Sequence, residues 1–439
     1  MQAHVVRSIE NASGWLPFDR FMHEALYAPG LGYYAASLPK LGLSSADGSD
    51  FVTAPELSPH FGRALAAQVA QILQATQTDT VYEFGAGRGK LAGQIIAALQ
   101  TEHPGLLARY VIVDISSHLR SVQQEALADF GDLVQWADAL PEALAGVLLG
   151  NEVLDAMPVK LLQRKDGVWH ERGVTLRLPA DLVDDANHSS RHSRESGNPC
   201  NSIKNNSFSG RFGGLKQENY SKNGVMKNLD SRFRGNDEGR KDAARKNEGA
   251  RQHPCASPFL WQDRPTDLRP PVEIAGEHDY LTEIHPQAEG FIATLAERLT
   301  RGAMLLIDYG FAEAEYYHHQ RYMGTLMCHR GHRSDPDPLA AVGLKDITAH
   351  INFTGIALTA QNAGADVLGY STQGRFLINC GLLAQLENAS LPERAHAQKL
   401  IFEHEMGELF KVIAIGKNCS ENCELDLLGF TSGDRSHTL

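Results

Sequence analysis

Residues 81–91 read V-Y-E-F-G-A-G-R-G-K-L and place three alternating glycines between a short apolar run and a helical pattern. The apolar run contains the acidic residue Glu83, and Gly85, Gly87 and Gly89 follow it. Glycine adopts backbone conformations that other residues avoid, and it lets the backbone approach a ligand closely. The stretch therefore predicts a strand, a tight ligand-binding turn and a helix.

Apolar runs elsewhere in the chain also end in polar residues, and helical patterns separate them. Three of these runs end near Asp114, Asp138 and Asn151. Further strands are predicted over 303–310, 366–370 and 410–415, and helices over 17–27, 59–74, 123–130, 142–144, 284–298 and up to about residue 362. This alternation predicts an α/β fold with a doubly wound, mostly parallel sheet, because each crossover helix packs on a face of the sheet.

The 439 residues divide into five predicted regions. They are a helical N-terminal region with a lid (1–78), the first half of the core (79–187), a disordered low-complexity insertion (188–255), the second half of the core with substrate-side elements (256–417) and a loose tail (418–439). The insertion holds 14 Lys or Arg against 7 Asp or Glu, with few periodic apolar residues. Such a segment buries too little surface to offset its ordering entropy. An RNA-binding arm is the alternative, but its aromatic residues are sparse.

The net charge of −12 argues against non-specific nucleic-acid binding and against a polybasic membrane patch, because both need surplus Lys and Arg. No run approaches the roughly 20 apolar residues of a membrane span. The N-terminus lacks the apolar segment of a secretory signal, so we expect a cytoplasmic location. Six scattered cysteines do not form a disulfide framework, and Cys419 and Cys423 are at most half of a zinc site.

Two classes of ligand bind at a strand, glycine turn and helix. Dinucleotide folds need G-x-G-x-x-G, in which the third glycine allows close packing of helix and strand. Lys90 occupies that third position here, so the spacing disfavours a nicotinamide dehydrogenase. The pattern E-x-G-x-G-x-G instead resembles motif I of the class I S-adenosylmethionine methyltransferases.

Other segments narrow the resemblance to one family. They are L-Y-A-P-G-L-G-Y-Y, G-S-D-F-V-T-A-P-E-L-S, N-E-V-L-D-A-M-P-V, I-D-Y-G, D-I-T-A-H-I-N-F and M-G-E-L-F-K-V-I-A. Together they resemble the bacterial MidA proteins and the mitochondrial complex I assembly-factor methyltransferase, over nearly the whole chain except the insertion and the tail. The resemblance implies a class I methyltransferase core with added helical elements. It also implies a protein substrate, and the mitochondrial members dimethylate an arginine of a complex I subunit.

The resemblance further implies a set of residues that bind S-adenosylmethionine. The glycine turn wraps the methionine end, and Asp114 accepts the ribose hydroxyls, which are paired donors suited to a carboxylate. Asp138 is expected near the adenine amino group. The predicted cofactor-binding residues are Glu83, Gly85, Ala86, Gly87, Gly89, Asp114, Ile115, Asp138 and Asn151.

Two acids of N-E-V-L-D are the predicted catalytic residues. Glu152 and Asp155 lie three residues apart, which brings them together if the segment turns helically after its strand. A guanidinium acceptor is cationic and poorly nucleophilic, so paired carboxylates suit it as clamp and proton acceptor. We expect Glu152 to be the clamp and base, Asp155 its partner and Asn151 a hydrogen-bond donor. The alternative makes Asp155 a helix cap and Glu152 a surface acid.

Several alternatives stay open at this stage. His329, His332 and His350 are typical of either hydrogen-bonded structural groups or a second acid–base set. Asp50 and Thr53 belong either to a lid or to a loop ordered by its own side chains. The chain as a whole is a protein arginine methyltransferase, a cofactor-binding assembly chaperone or a small-molecule methyltransferase.

Overall fold

The computed structural model describes residues 1–36, 52–114, 116–177, 257–419 and 425–439. The predicted insertion at 188–255 lies outside the described residues. Asp50, which the sequence assigns to a lid or a loop, also lies outside them. The α-helices of the described residues are α1 (Gln2–Asn11), α2 (Phe18–Tyr27), α3 (Ala54–Leu57), α4 (Pro59–Thr76), α5 (Lys90–Glu102), α6 (Ser117–Ala126), α7 (Pro286–Arg298), α8 (Glu313–Tyr316), α9 (Phe353–Asn362), α10 (Gln373–Asn379), α11 (Leu382–Gln385), α12 (Leu391–Ile401) and α13 (Met406–Leu409).

The strands form three sheets within the described residues. They are β1 (Leu16–Pro17), β2 (Thr80–Phe84), β3 (Arg109–Val113), β4 (Val134–Ala137), β5 (Leu144–Asn151), β6 (Lys160–Lys165), β7 (Val168–Leu176), β8 (Phe259–Pro265), β9 (Tyr280–Ile284), β10 (Leu299–Phe311), β11 (Met327–Arg330), β12 (Arg333–Asp335), β13 (Asp346–Thr348), β14 (Ile351–Asn352), β15 (Asp366–Thr372) and β16 (Phe410–Lys417).

The central sheet has the order β15-β16-β10-β5-β2-β3-β4, and β14 also pairs with β10. Strands β10, β5, β2, β3 and β4 run parallel, whereas β16 is antiparallel to both of its neighbours. This arrangement confirms the predicted doubly wound, mostly parallel sheet. The carboxyl ends of β2, β3 and β5 meet at one edge, which is where ligands bind in such sheets.

Alternate residues of the central strands enter two different apolar cores, one on each face of the sheet. In β10, Leu305 and Ile307 pack in the core that α4 and α5 cover, and Met304 and Leu306 pack in the core that α7 and α9 cover. Helices on both faces explain why these strands are apolar throughout rather than alternating, since both faces are buried. This packing makes the central sheet a rigid platform for its loops.

Two antiparallel sheets accompany the central one, and the sequence patterns do not predict them. One has the order β1-β7-β6-β9, with β8 on β7, and the other has the order β12-β11-β13. Helices α1 and α2 share an apolar core with both, through residues such as Phe18, Phe21 and Ile347. The N-terminal region of 1–78 therefore packs in two places: α1 and α2 pack with the antiparallel sheets, whereas α4 packs on the central sheet.

Two local predictions differ from the structure. The helix expected at 142–144 is wrong, because Leu144 already begins β5 and Leu144 pairs with Leu299. The described parts of the predicted loose tail, 418–419 and 425–439, pack on the core. Phe430 is buried against Phe376 with ring centroids 5.3 Å apart, and the backbone N–H of Tyr370 donates to Asp434 at 3.0 Å. Short apolar anchors such as these are hard to recognise without periodicity.

Candidate active site

The glycine turn lies where β2 ends and α5 begins. Gly85, Gly87 and Gly89 have φ values of 62°, 54° and 81°, all in the left-handed region. Residues with a Cβ rarely adopt this conformation, so the turn depends on glycine. The turn lines a cavity of about 840 Å³ at the carboxyl edge of the central sheet. The N-terminus of α5 also meets this cavity and offers free backbone N–H groups and a partial positive charge.

Glu83 lies beneath the turn and lines the same cavity. Only 2% of its surface is exposed, and it accepts a 2.7 Å hydrogen bond from the Tyr110 hydroxyl. Burial raises the pKa of Glu83 to about 7, the hydrogen bond from Tyr110 opposes this, and the charge of Asp114 adds to it. Glu83 is therefore an acceptor whose charge changes near neutral pH.

Asp114 follows β3 and is held by two donors. The backbone N–H of Ser116 donates to Oδ1 at 2.8 Å, and Nε2 of Gln123 donates to Oδ2 at 2.8 Å. Burial raises the pKa of Asp114, and these two hydrogen bonds oppose the rise. Its carboxylate lines the cavity beside the turn, as do Glu83, Gly85 and Gly87. Together with Gly89, which precedes α5, these residues form what we call the glycine end of the cavity.

Gln123 connects the parts of the glycine end. Its Nε2 donates to the Gly87 carbonyl at 2.9 Å as well as to Asp114, and its Oε1 accepts from Trp136 Nε1 at 3.0 Å. The side chain itself is fully buried, so its amide depends on these protein partners for its hydrogen bonds. Sequence reasoning missed Gln123 because it lies in a polar stretch of α6 without a motif. A buried glutamine with three partners is visible only in the tertiary structure.

One predicted cofactor residue, Asp138, is not brought to the glycine end. The Asp138 side chain is 88% exposed and forms a 2.6 Å ion pair with Nη1 of Arg120. It does not line the cavity, whereas Leu140, two residues later, does. Ile115 lies outside the described residues. Ala86 lines the cavity as expected.

Glu152 lies at the other side of the cavity, directly after β5. Its φ is 55°, so the segment does not turn helically there, contrary to the sequence prediction. Its backbone N–H donates to the Ile307 carbonyl oxygen at 2.9 Å, and this hydrogen bond holds the uncommon conformation in place. The Asn151 amide donates to Glu152 Oε1 at 3.0 Å, and Asn151 Oδ1 is buried with no partner among the described residues. Asn151 therefore offers a ligand an acceptor rather than the predicted donor.

Asp155 is buried, with 5% of its surface exposed, and lines the cavity. The Tyr309 hydroxyl donates to its Oδ2, whereas its Oδ1 has no partner within the part of the chain that the structure describes. Behind it, Asp308 Oδ2 accepts the backbone N–H groups of Leu154 and Asp155 at 3.0 and 3.2 Å. Asp155 is thus fixed in place by its neighbours and is not a helix cap.

Glu152, Asp155 and Asp308 form the acidic end of the cavity. Burial raises the pKa of Glu152 to about 8, with the charge of Asp155 adding to it, and raises the pKa of Asp155 to about 6 against the Tyr309 hydrogen bond. Burial and the two neighbouring acids also raise the pKa of Asp308. Among the described residues, no ion pair reaches any of the three. Buried acids without a counterion favour a cationic ligand.

The histidines of the polar segment lie outside this arrangement. His350 packs edge-on against Tyr309 with ring centroids 5.1 Å apart, and burial lowers its pKa to about 4. The described residues contain no group of three His, Cys, Asp or Glu side chains placed to hold a metal ion. Cys419 is buried, and Cys423 lies outside the described residues. Thr53 lines the cavity.

The fold and the cavity define a class I methyltransferase. Residues 64–371, more than half of the chain, match the model of a family described as S-adenosyl-L-methionine-dependent methyltransferases. The chain belongs to this family, and its cofactor is S-adenosylmethionine.

Two crystal structures from Burkholderia thailandensis resemble the whole chain. One, bound to S-adenosyl-homocysteine, is 39% identical with a TM-score of 0.77 and is matched over 100% of this chain and 96% of its own. The other is 38% identical with a TM-score of 0.74 and the same coverage. The residues of the glycine end fit the cofactor, because left-handed glycines admit its close approach and Asp114 offers acceptors for vicinal hydroxyls.

Curated relatives are more distant. Protein arginine methyltransferase NDUFAF7 of Danio rerio is 23% identical over 92% of this chain and 84% of its own length. The protein of the same name from Bos taurus is 25% identical over 94% and 83%. Both are named as mitochondrial, so the predicted cytoplasmic location is wrong. No helix among the described residues has the length and apolar character needed to cross a membrane.

Proposed function

We propose that this chain transfers a methyl group from S-adenosylmethionine to an arginine of a partner protein. The observation that carries the proposal is the acidic end of the cavity, where Asp155 Oδ1 is buried without a partner among the described residues and no ion pair neutralises the acids. A guanidinium is a planar cation whose N–H groups pair with carboxylates. It supplies both the charge and the donors that this end lacks.

The glycine end orients the methyl donor. We infer that the backbone of Gly85, Ala86, Gly87 and Gly89 wraps the methionine end of the cofactor and that Asp114 accepts its ribose hydroxyls. The orphan Oδ1 of Asn151 accepts from the cofactor's ammonium group, and Glu83 supports the turn from beneath. When bound, the cofactor supplies a sulfonium-activated methyl group, so no metal is needed to activate the donor.

The acidic end handles the acceptor's charge and proton. Asp155 and Glu152 pin the guanidinium, which places its nitrogen for in-line attack on the methyl carbon. As the new N–C bond forms and the C–S bond breaks, a proton leaves the guanidinium nitrogen for the Glu152 carboxylate. A base with a pKa of about 8 is a better proton acceptor than an ordinary carboxylate. Asp308 keeps Asp155 in position through the backbone.

The names of the animal relatives support arginine as the acceptor, since NDUFAF7 of Danio rerio and of Bos taurus are both named protein arginine methyltransferases. Identities of 23% and 25% are too low to carry over the relatives' partner protein, so the partner is inferred from the chemistry of the site. A subunit of respiratory complex I is the acceptor that the family resemblance suggests. We propose it as the first partner to assay.

The proposal is tested by labelling. The purified chain is incubated with methyl-radiolabelled S-adenosylmethionine and a lysate from cells that lack it. We expect a labelled protein whose hydrolysate contains labelled methylarginine, and much less label with the Glu152→Gln variant, which still binds S-adenosylhomocysteine. Label only in small molecules would assign a different acceptor class, and binding without transfer would assign a non-catalytic assembly role. Either result overturns the proposal.

A further inference from the structure

A tyrosine and an aspartate that are far apart in the sequence meet in the wall of the cavity. The Tyr34 hydroxyl lies 2.9 Å from both carboxylate oxygens of Asp346, although the two residues are 312 positions apart. Asp346 is the first residue of β13, is 3% exposed, and also accepts its neighbour's backbone N–H, from Ile347, at 2.9 Å. Both side chains line the cavity, so this contact is part of its surface.

Tyr27 extends the same wall. Its ring stacks on that of Tyr34, with centroids 5.6 Å apart and planes at 19°. Its hydroxyl donates to the Ala156 carbonyl at 2.8 Å, directly after Asp155 in the chain. The last residue of α2 is therefore tied to the segment that carries the acidic end. We call Tyr27, Tyr34 and Asp346 the tyrosine wall.

The tyrosine wall and the acidic end share one electrostatic environment. The charge of Asp346 contributes to the raised pKa of Glu152. Burial, with the charges of Asp346 and Asp155 adding to it, raises the pKa of both Tyr27 and Tyr34 above the usual value for tyrosine. Both phenols therefore stay neutral and offer aromatic faces with intact hydroxyl groups.

We propose that the tyrosine wall is the specificity-determining part of the acceptor site and selects a planar cationic side chain over a neutral one of the same shape. The inference rests on the proposed function and deepens it. Aromatic faces attract cations, and guanidinium stacks on them more readily than ammonium does. Asp346 supplies a carboxylate separate from the Glu152 and Asp155 pair, so the guanidinium is attracted both at its reacting nitrogen and across its plane.

A purely structural role makes a different prediction. If the Tyr34–Asp346 contact only held the chain after α2 in place, its loss would lower stability and cofactor binding together. A specificity role instead changes acceptor binding while leaving S-adenosylhomocysteine binding unchanged. Tyr316 provides a matched control, because its hydroxyl donates to the buried Glu283 at 3.0 Å outside the cavity lining.

The experiment measures binding of two small probes to the full chain saturated with S-adenosylhomocysteine. N-acetyl-L-arginine methylamide carries the guanidinium, and N-acetyl-L-citrulline methylamide is its neutral counterpart of the same shape. NMR titration gives the Kd of each. We expect the wild type to prefer the arginine probe, Asp346→Asn to weaken that probe about tenfold, as for loss of a charged hydrogen bond, and Tyr34→Phe to weaken it less. Tyr316→Phe should bind both probes as the wild type does.

Activity assays separate this inference from the proposed function. Once labelling has identified an acceptor protein, Asp346→Asn should raise the KM for that acceptor more than it lowers kcat, because the tyrosine wall binds the acceptor and does not take part in transfer. Labelled arginine together with unchanged probe binding by Asp346→Asn overturns only this inference. Equal binding of the two probes by the wild type also overturns it. Absence of labelled arginine overturns the proposed function as well.

Discussion

The two ends of the cavity are built in different ways. The glycine end comes from one short stretch, 83–89, together with Asp114, which directly follows the adjacent strand β3. The acidic end and the tyrosine wall come from five separate segments, around residues 27, 34, 152–155, 308 and 346. The glycine end depends on backbone conformation, whereas the acidic end depends on uncompensated charge. Substitutions at the two ends should therefore separate cofactor binding from transfer.

The largest effect is expected at the glycine turn. The φ of 62° at Gly85 is unfavourable for valine, and the added Cβ would lie 3.2 Å from Val153 Cγ2. We therefore expect the turn to move away from the cofactor. We predict that Gly85→Val weakens S-adenosylhomocysteine binding by more than about 100-fold, measured by calorimetry. Gly105→Val is the control, since Gly105 has a φ of 81° with nothing near its Cβ position. Equal losses in both variants would indicate general strain instead.

At the acidic end, Asp155→Asn should act on transfer alone. The amide keeps the shape of the side chain but removes the charge that pins the guanidinium. We predict a fall in kcat of about 100-fold or more, with the Kd for S-adenosylhomocysteine within about twofold of wild type, as expected for a residue outside the cofactor contacts. A variant that loses cofactor binding to the same degree as kcat would show that the two ends are not separable.

The pH dependence follows from the raised pKa of Glu152. The base is active when deprotonated, so its active fraction rises as pH rises through about 8. The acceptor guanidinium stays protonated over this range and does not titrate. We predict that log(kcat/KM) increases with a slope near one between about pH 6 and 8 and levels above. Residual activity of Glu152→Gln should lack this slope, and a wild-type profile that is flat over the same range would dismiss Glu152 as the base.

The smallest effect is expected from Gln123, which supports the glycine end without touching the acidic end. Gln123→Leu removes the donors to Gly87 and Asp114 and leaves Trp136 Nε1 without its acceptor. We predict about tenfold weaker S-adenosylhomocysteine binding and an unchanged kcat at saturating cofactor. Gln124→Leu, at the exposed neighbouring position, should bind as the wild type does. Equal effects of the two leucines would contradict the role of Gln123.

Sequence reasoning was most accurate where function is carried by neighbouring residues. Glu83, Gly85, Gly87 and Asp114 all line the cavity, because a strand, a turn and a helix keep their order in space. It was wrong about the helical turn after Asn151, because a backbone hydrogen bond to Ile307 on the adjacent strand holds Glu152 in a left-handed conformation. Asp138 forms an ion pair with Arg120 at the surface, and no local sequence pattern indicates that pairing.

The sequence by itself determined the central α/β sheet, the glycine turn and the class of cofactor, because apolar periodicity and glycine spacing express local backbone preferences. Only the tertiary structure decided which acids stay unpaired, which tyrosines face them and how Asp308 and Gln123 hold the two ends. These properties depend on burial and on partners up to 312 residues away, and a change of pKa arises only when folding removes a carboxylate from water. The acidic end of the cavity and the tyrosine wall therefore exist only in the folded chain.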